Sequence, residues 1–256
     1  DQWKENIVKL AVNNPNLSVI LPVGCNAHCR FCYWEQGNGL NTARFSFVSG
    51  SLPPIFDQCT ITGGEPTLCD DLSEYLGIAR GRFSKVVLNT NGYLLTSEHI
   101  KLACHVNISR HHYDDAENEK VFGTDSVPCA DKIRAFCDSG DITLNCVLSP
   151  DFKDSDFIAH YITFAKSVGA KVAFRKYFSD LSILSEIDTN DTLIGQHSCG
   201  ACLHRWHKIN GVDVTFKYGV QETSEHVNGI YELILQPNGD LTFDWAGKNR
   251  LEYKEV

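Results

Sequence analysis

At 256 residues the chain is long enough to bury a sizeable core, and it suits one large α/β domain or such a domain with a small extension. Its formal net charge is −9, with 32 Asp and Glu against 23 Lys and Arg, which argues against an extended nucleic-acid partner, since such surfaces carry basic excess. No signal peptide and no apolar run long enough for a bilayer is read from it, so a cytoplasmic protein with no membrane partner is expected. Eleven cysteines are present and methionine is absent. Their clustering as CxxxCxxC and CxxC favours metal ligation in a reducing compartment over a disulfide framework.

In chain order, residues 3–13 read as a short helix leading to a strand at 17–23. The cysteine loop Cys25-Asn-Ala-His-Cys29-Arg-Phe-Cys32 follows. A second strand over 57–62 ends in Gly63-Gly64-Glu65-Pro66. Asp70 or Asp71 can cap a helix whose apolar stripe is Leu72, Tyr75, Leu76 and Ala79. Strands are expected at 85–91, 105–109, 142–148 and 171–175, with helices at 97–103, about 128–138, and 154–168. The last is clearly amphipathic, with Gly169 where a C-terminal cap belongs. Short apolar strands alternating with helices argue for a parallel sheet with right-handed crossovers. Beyond residue 180 the alternating runs 212–218, 231–235 and 241–245, with a turn at Pro237-Asn-Gly-Asp240, read as a small antiparallel extension. The expected domains are therefore residues 1–180 and 181–256.

Thiolate sulfur is a soft ligand, and Cys25, Cys29 and Cys32 can converge on zinc or an iron–sulfur centre. A four-iron cluster needs four thiolates to be saturated, so three leave one iron open. Two glycines at a strand end allow close backbone approach, and the carboxylate of Glu65 beside them can receive an ammonium. Asn89 and Asn91, Ser109, Asn145 and Arg175 interrupt apolar strands or their ends, where contacts to a bound molecule are expected. His111 and His112 follow the fourth strand and could orient substrate or act as acid and base, or belong to a polar loop before a helix starting at Asp114 or Asp115. Cys199-Gly-Ala-Cys202 is a candidate second metal site or redox pair.

The cysteine loop, with aromatic Phe31 before its last cysteine, together with Gly63-Gly64-Glu65-Pro66, resembles the signature of the radical SAM superfamily. Within it the chain is similar to the molybdenum-cofactor cyclase, SPASM-Twitch and viperin-like branch. The resemblance implies a partial (β/α)6 TIM-like barrel whose site lies at the C-terminal strand ends. It implies a [4Fe-4S] cluster on Cys25, Cys29 and Cys32, and S-adenosyl-L-methionine held by Phe31, Gly63, Gly64, Glu65, Pro66, Asn89, Asn91, Ser109, Asn145 and Arg175. A 5′-deoxyadenosyl radical would then abstract hydrogen from a peptide or small molecule, with a nucleotide as the alternative substrate and flavodoxin or ferredoxin as reductant. A non-enzymatic iron–sulfur or zinc module is the rival reading. Relatives with auxiliary clusters carry a cysteine in the C-terminal hairpin; here Leu241 to Trp245 has none.

Overall fold

The computed structural model describes residues 11–32, 37–148, 154–176, 192–198, 203–218, 225–226, 229–248 and 250–251. Cys199, Cys202 and the first residues of the expected N-terminal helix lie outside them. Strands β1 (Ala11–Leu21), β2 (Gln58–Gly63), β3 (Lys85–Thr90), β4 (His105–Ser109), β5 (Ile142–Leu148) and β6 (Lys171–Lys176) pair in parallel, in chain order. Helices α1 (Thr42–Ser51), α2 (Leu72–Arg82), α3 (Ser97–Leu102), α4 (Asp115–Phe122), α5 (Ala130–Cys137) and α6 (Ser155–Val168) fall in the connections. The fold is mixed α/β, an open partial barrel of the TIM type.

The C-terminal strands are β7 (Leu193–Ser198), β8 (Leu203–Ile209), β9 (Val212–Tyr218), β10 (Glu225–His226), β11 (Gly229–Leu235) and β12 (Leu241–Thr242). Among themselves they pair antiparallel, as their alternation suggests. They are also stitched onto the barrel: β9 pairs in parallel with β6, and β11 in parallel with β1. The sheet therefore reads β10-β11-β1-β2-β3-β4-β5-β6-β9-β8-β7.

Residues 11–13, expected in a helix, lie in β1, where Ala11 pairs with Ile230 of β11. A partner strand so distant in sequence overrides local propensity. The strand ends at Leu21, two residues early. Pro22 has no N–H for the ladder, and the Val23 N–H turns back to the Leu21 carbonyl at 2.9 Å.

α6 shows how the sequence writes its own boundaries. Asp154 accepts the Phe157 N–H at 2.7 Å, a cap worth about 1 kcal/mol, and Gly169 closes the helix in a left-handed conformation. Its stripe of Phe157, Ile158, Tyr161, Ile162, Ala165 and Val168 is buried. The outward strand residues Leu17, Val19, Ile61, Leu88, Ile108, Leu144, Phe174 and Phe216 share that core. Residues alternating with them are mostly polar: Asn16, Ser18, Thr60, Thr62, Asn89, Asn107, Ser109, Asn145, Arg175 and Lys217. A parallel sheet buried on both faces would be apolar on both. This one keeps a polar inner face, and Thr62, Asn89 and Ser109 of that face line a chamber.

Candidate active site

Cys25, Cys29 and Cys32 sit in the loop after β1. All are free thiols, the first two partly buried and Cys32 exposed. The loop is pinned at Gly24, Asn26 and His28. Glu65 donates its N–H to the Gly24 carbonyl at 2.8 Å, His28 donates its N–H to the Phe122 carbonyl at 2.8 Å, and Asn26 Nδ2 reaches the Ser126 carbonyl at 3.0 Å. Asn91 Nδ2 donates to Asn26 Oδ1 at 2.7 Å, tying the loop to the end of β3. Burial, then the neighbouring Cys32 and Cys25, pushes the Cys29 thiol up to about 12. Such a thiol stays protonated at neutral pH unless a metal takes the proton's place.

The thiols border one cavity of about 1050 Å³. Among the described residues no three His, Cys, Asp or Glu side chains gather round a single ion. Three soft thiols on one loop at a chamber wall suit a polynuclear cluster, which takes each thiolate on a different iron.

Gly63 and Gly64 answer to the cysteine loop itself. A Cβ on Gly64 would lie 2.3 Å from the Gly24 carbonyl oxygen and 2.6 Å from that of Val23, and one on Gly63 (φ +152°) would lie 2.8 Å from the Leu21 oxygen. The backbone that approaches these glycines is thus the chain's own, and both also line the cavity. Glu65 is 1% exposed. Its Oε1 accepts from the Thr67 N–H (3.0 Å), the Thr67 hydroxyl (2.7 Å) and the Thr90 hydroxyl, and its Oε2 from the Asn91 N–H at 2.6 Å. Burial raises its pKa, and these four donors oppose the rise. Each carboxylate oxygen has about two lone-pair positions, so with three donors on Oε1 and one on Oε2 the room for a further donor is on Oε2.

Phe31, Asn89, Asn91 and Ser109 line the same cavity, with His111. Pro66, Asn145, Arg175 and His112 are not in its wall. Pro66 opens a buried 3-10 turn, and Arg175 stands farther along the sheet on β6. Asn145, 8% exposed, sits beside Ser109 in register, and its Oδ1 is a buried acceptor with no donor.

The two histidines part company. The His112 ring stands among Tyr113 and Phe157, and its Nδ1 accepts the Asp114 N–H at 2.9 Å in the turn before α4. The helix start read at Asp114 or Asp115 is there, with Asp114 capping. His111 is packed between Phe31 and Phe122 at ring-centroid distances of 4.8 and 5.0 Å. Its Nδ1 accepts the Val147 N–H at 3.1 Å, which leaves the proton on Nε2, and burial depresses its pKa to about 3. At neutral pH it is a neutral donor, unsuited to act as an imidazolium acid.

Sequence reasoning missed one wall altogether. Gln236, Pro237, Asn238, Asp240 and Trp245 to Lys248 line the cavity from the turns after β11 and β12. The Leu40 N–H donates to the Pro237 carbonyl at 2.8 Å and Arg44 Nε to the Gly239 carbonyl at 3.2 Å, holding that turn over the chamber. The turn itself was legible, but not the parallel docking of β11 on β1 that brings it to the cysteine end of the sheet.

No protein-family model matches the chain. A relative named probable GTP 3′,8-cyclase from Pyrobaculum aerophilum is 28% identical over 165 residues, 59% of this chain and 53% of the relative. A Methanocaldococcus jannaschii protein named as a glycyl-radical enzyme activating enzyme is 30% identical over 155 residues, 54% of this chain and 58% of that protein. The chain spans just over half the length of these curated relatives. Among solved structures, Streptococcus suis SuiB superposes with a TM-score of 0.64 at 12% identity, covering 95% of this chain and 63% of SuiB. SuiB bound to its precursor peptide SuiA gives 0.59 at 18% identity over 72% of this chain and 46% of that one. The SuiB likeness concerns the fold; the sequence relatives, the three-thiol loop and the Gly-Gly-Glu-Pro strand end support membership of the radical SAM superfamily.

Proposed function

We propose that the chain is a radical SAM enzyme acting on a peptide or small-molecule substrate, with Cys25, Cys29 and Cys32 holding a [4Fe-4S] cluster. One observation carries this reading: three free thiols of one pinned loop and a buried carboxylate, Glu65, border the same chamber. When bound, the cluster and S-adenosyl-L-methionine would supply reductive cleavage to a 5′-deoxyadenosyl radical that takes a hydrogen atom from the substrate.

The chain's own residues do the holding. The free acceptor position on Glu65 Oε2 suits an ammonium, while Gly63 and Gly64 leave the loop and strand end close enough to share one ligand. Asn145 Oδ1, beside Ser109 in register, is a buried acceptor with no donor, although Asn145 lies outside the cavity wall. Phe31 presents a ring edge-on to His111 at the cavity wall, a surface for a flat aromatic base. The extension over residues 181–256 supplies the opposite wall, with Trp245 and Lys248 facing the chamber. A cytoplasmic reductant such as flavodoxin or ferredoxin fits the need for one electron, and among the described residues no helix is long and apolar enough to cross a membrane. A nucleotide substrate is the second reading, favoured by the relatives named GTP 3′,8-cyclase.

Anaerobic reconstitution with iron and sulfide, then dithionite and S-adenosyl-L-methionine, should yield 5′-deoxyadenosine by chromatography. Cys29→Ala should abolish it. Native-rate formation by that variant would refute the assignment.

A further inference from the structure

Gln236, the residue after β11, lines the chamber and is only 8% exposed. Its backbone is engaged in the turn it opens: its N–H donates to the Asp240 carbonyl at 2.8 Å, and its carbonyl accepts the Gly239 N–H at 2.9 Å. Its side-chain nitrogen is engaged as well. Nε2 donates to Thr242 Oγ1 at 2.8 Å and to the Asp244 carbonyl at 3.1 Å. A carbonyl oxygen only accepts, so turning the amide end for end would set two acceptors against each other. That fixes which end of the amide is oxygen.

Oε1 is the group left over. Among the described residues it has no hydrogen-bond partner, yet it is not sealed in the core as Asn145 Oδ1 is. Gly247 packs on the same amide, where a Cβ would lie 3.5 Å from Gln236 Cδ and 3.7 Å from Nε2. The oxygen is therefore a fixed acceptor on a wall of the chamber, and its orientation is set before anything binds.

Its neighbours on that wall limit what it receives. Trp245 donates its indole N–H to Glu232 Oε2 at 3.1 Å, and indole has no other hydrogen-bonding group, so Trp245 offers the chamber apolar ring surface. The wall's carboxylate, Asp240, is engaged by Arg250 at 2.6 Å and by Asn238 at 3.1 Å, so it does not call for a cation.

The geometry points to Gln236 as a specificity-determining residue: Oε1 accepts an N–H from a neutral, flat amide-type group of the substrate, a carboxamide or a ring lactam, whose body lies against Trp245. This rests on the chamber being the substrate site of a radical SAM enzyme, and it narrows the substrate to one that brings such a donor. A carboxylate or phosphate oxygen would meet Oε1 as acceptor against acceptor, and a methylated nitrogen would leave Oε1 desolvated and unpaired.

The test is equilibrium binding to the reconstituted full chain in the presence of S-adenosyl-L-methionine, followed by ligand-observed NMR. One arm compares benzamide with N,N-dimethylbenzamide, the other uridine with 3-methyluridine; each pair differs in its N–H. At least one N–H probe should bind saturably, and its methylated counterpart should bind at least about fivefold more weakly. The arm that shows this preference identifies carboxamide or lactam as the source. Gln236→Met, close in volume and without an acceptor, should bring the two members of that pair to within about twofold of each other. A loss of stability alone would weaken both members together and leave their ratio unchanged. Should Gln236→Met not fold, Gln236→Asn, which withdraws the amide by one methylene, takes its place with the same expected loss of preference. The assignment is overturned if neither N–H probe binds, if the methylated probes bind as tightly as their parents, or if the folded variant keeps the parent's preference. The readout needs no turnover, so its failure is distinct from a failure to form 5′-deoxyadenosine.

Discussion

Asn91 donates its backbone N–H to Glu65 Oε2 at 2.6 Å, and through its side chain it holds Asn26 of the cysteine loop at 2.7 Å. The ends of β2 and β3 and the three-thiol loop are therefore one hydrogen-bonded unit with Glu65 at its centre. Anything bound to the thiols and to Glu65 meets a site already in place.

The first prediction follows from the four donors on Glu65. In Glu65→Ala the hydroxyls of Thr67 and Thr90 can rotate to new partners, but the backbone N–H groups of Thr67 and Asn91 cannot. Each buried donor left unpaired costs about 1–3 kcal/mol. Urea unfolding should show a loss of roughly 2–6 kcal/mol. A loss near zero would mean that water replaces the carboxylate.

Glycines supply a paired comparison. Gly64→Ala would set a Cβ against two backbone oxygens of the cysteine loop, which cannot swing aside. Overpacking of this kind costs about 1–3 kcal/mol, and iron retained per chain after reconstitution should fall with it. Gly77, inside α2, has nothing within 4 Å of its would-be Cβ. Gly77→Ala should stabilise the protein by about 0.5–1 kcal/mol and leave iron content unchanged. Equal effects from both substitutions would contradict the close approach.

Acid sensitivity should trace in part to His111. Its folded pKa of about 3 lies below the ordinary 6.5. Between those values the unfolded chain binds a proton that the folded chain refuses, so stability rises with pH and is lost as pH falls below 6.5. The slope from this one group is at most about 1.4 kcal/mol per pH unit. His204, depressed to about 4, acts with the same sign, so the comparison must be differential. His111→Gln keeps an acceptor for the Val147 N–H and cannot titrate. Its stability should fall less steeply than the parent's between pH 6.5 and about 5, and identical slopes would rule out a buried neutral His111.

How much of this was legible in the sequence depended on the range of the interaction. Stripes and glycine caps are local, so the α2 stripe of Leu72, Tyr75, Leu76 and Ala79 and the closure of α6 at Gly169 could be read directly, whereas Asp71, read as a cap for α2, makes no capping hydrogen bond. Gly63 and Gly64 were recognisable as a place of close approach, but the sequence does not say that the approaching backbone is the cysteine loop. The pairings of β11 with β1 and of β9 with β6 join residues far apart in the chain, and no local pattern encodes them. Alternation in β9 shows that one face is polar. It takes the register to show that Lys217 stands beside Arg175.

The most direct test of the central claim is the electron paramagnetic resonance spectrum of the reconstituted, dithionite-reduced protein, recorded before and after addition of S-adenosyl-L-methionine. With three thiolates and one open iron, the reduced-cluster signal should change shape and g values when the sulfonium compound binds, with about four irons per chain. A spectrum that the addition leaves untouched, or a complete cluster surviving in Cys29→Ala, would contradict it.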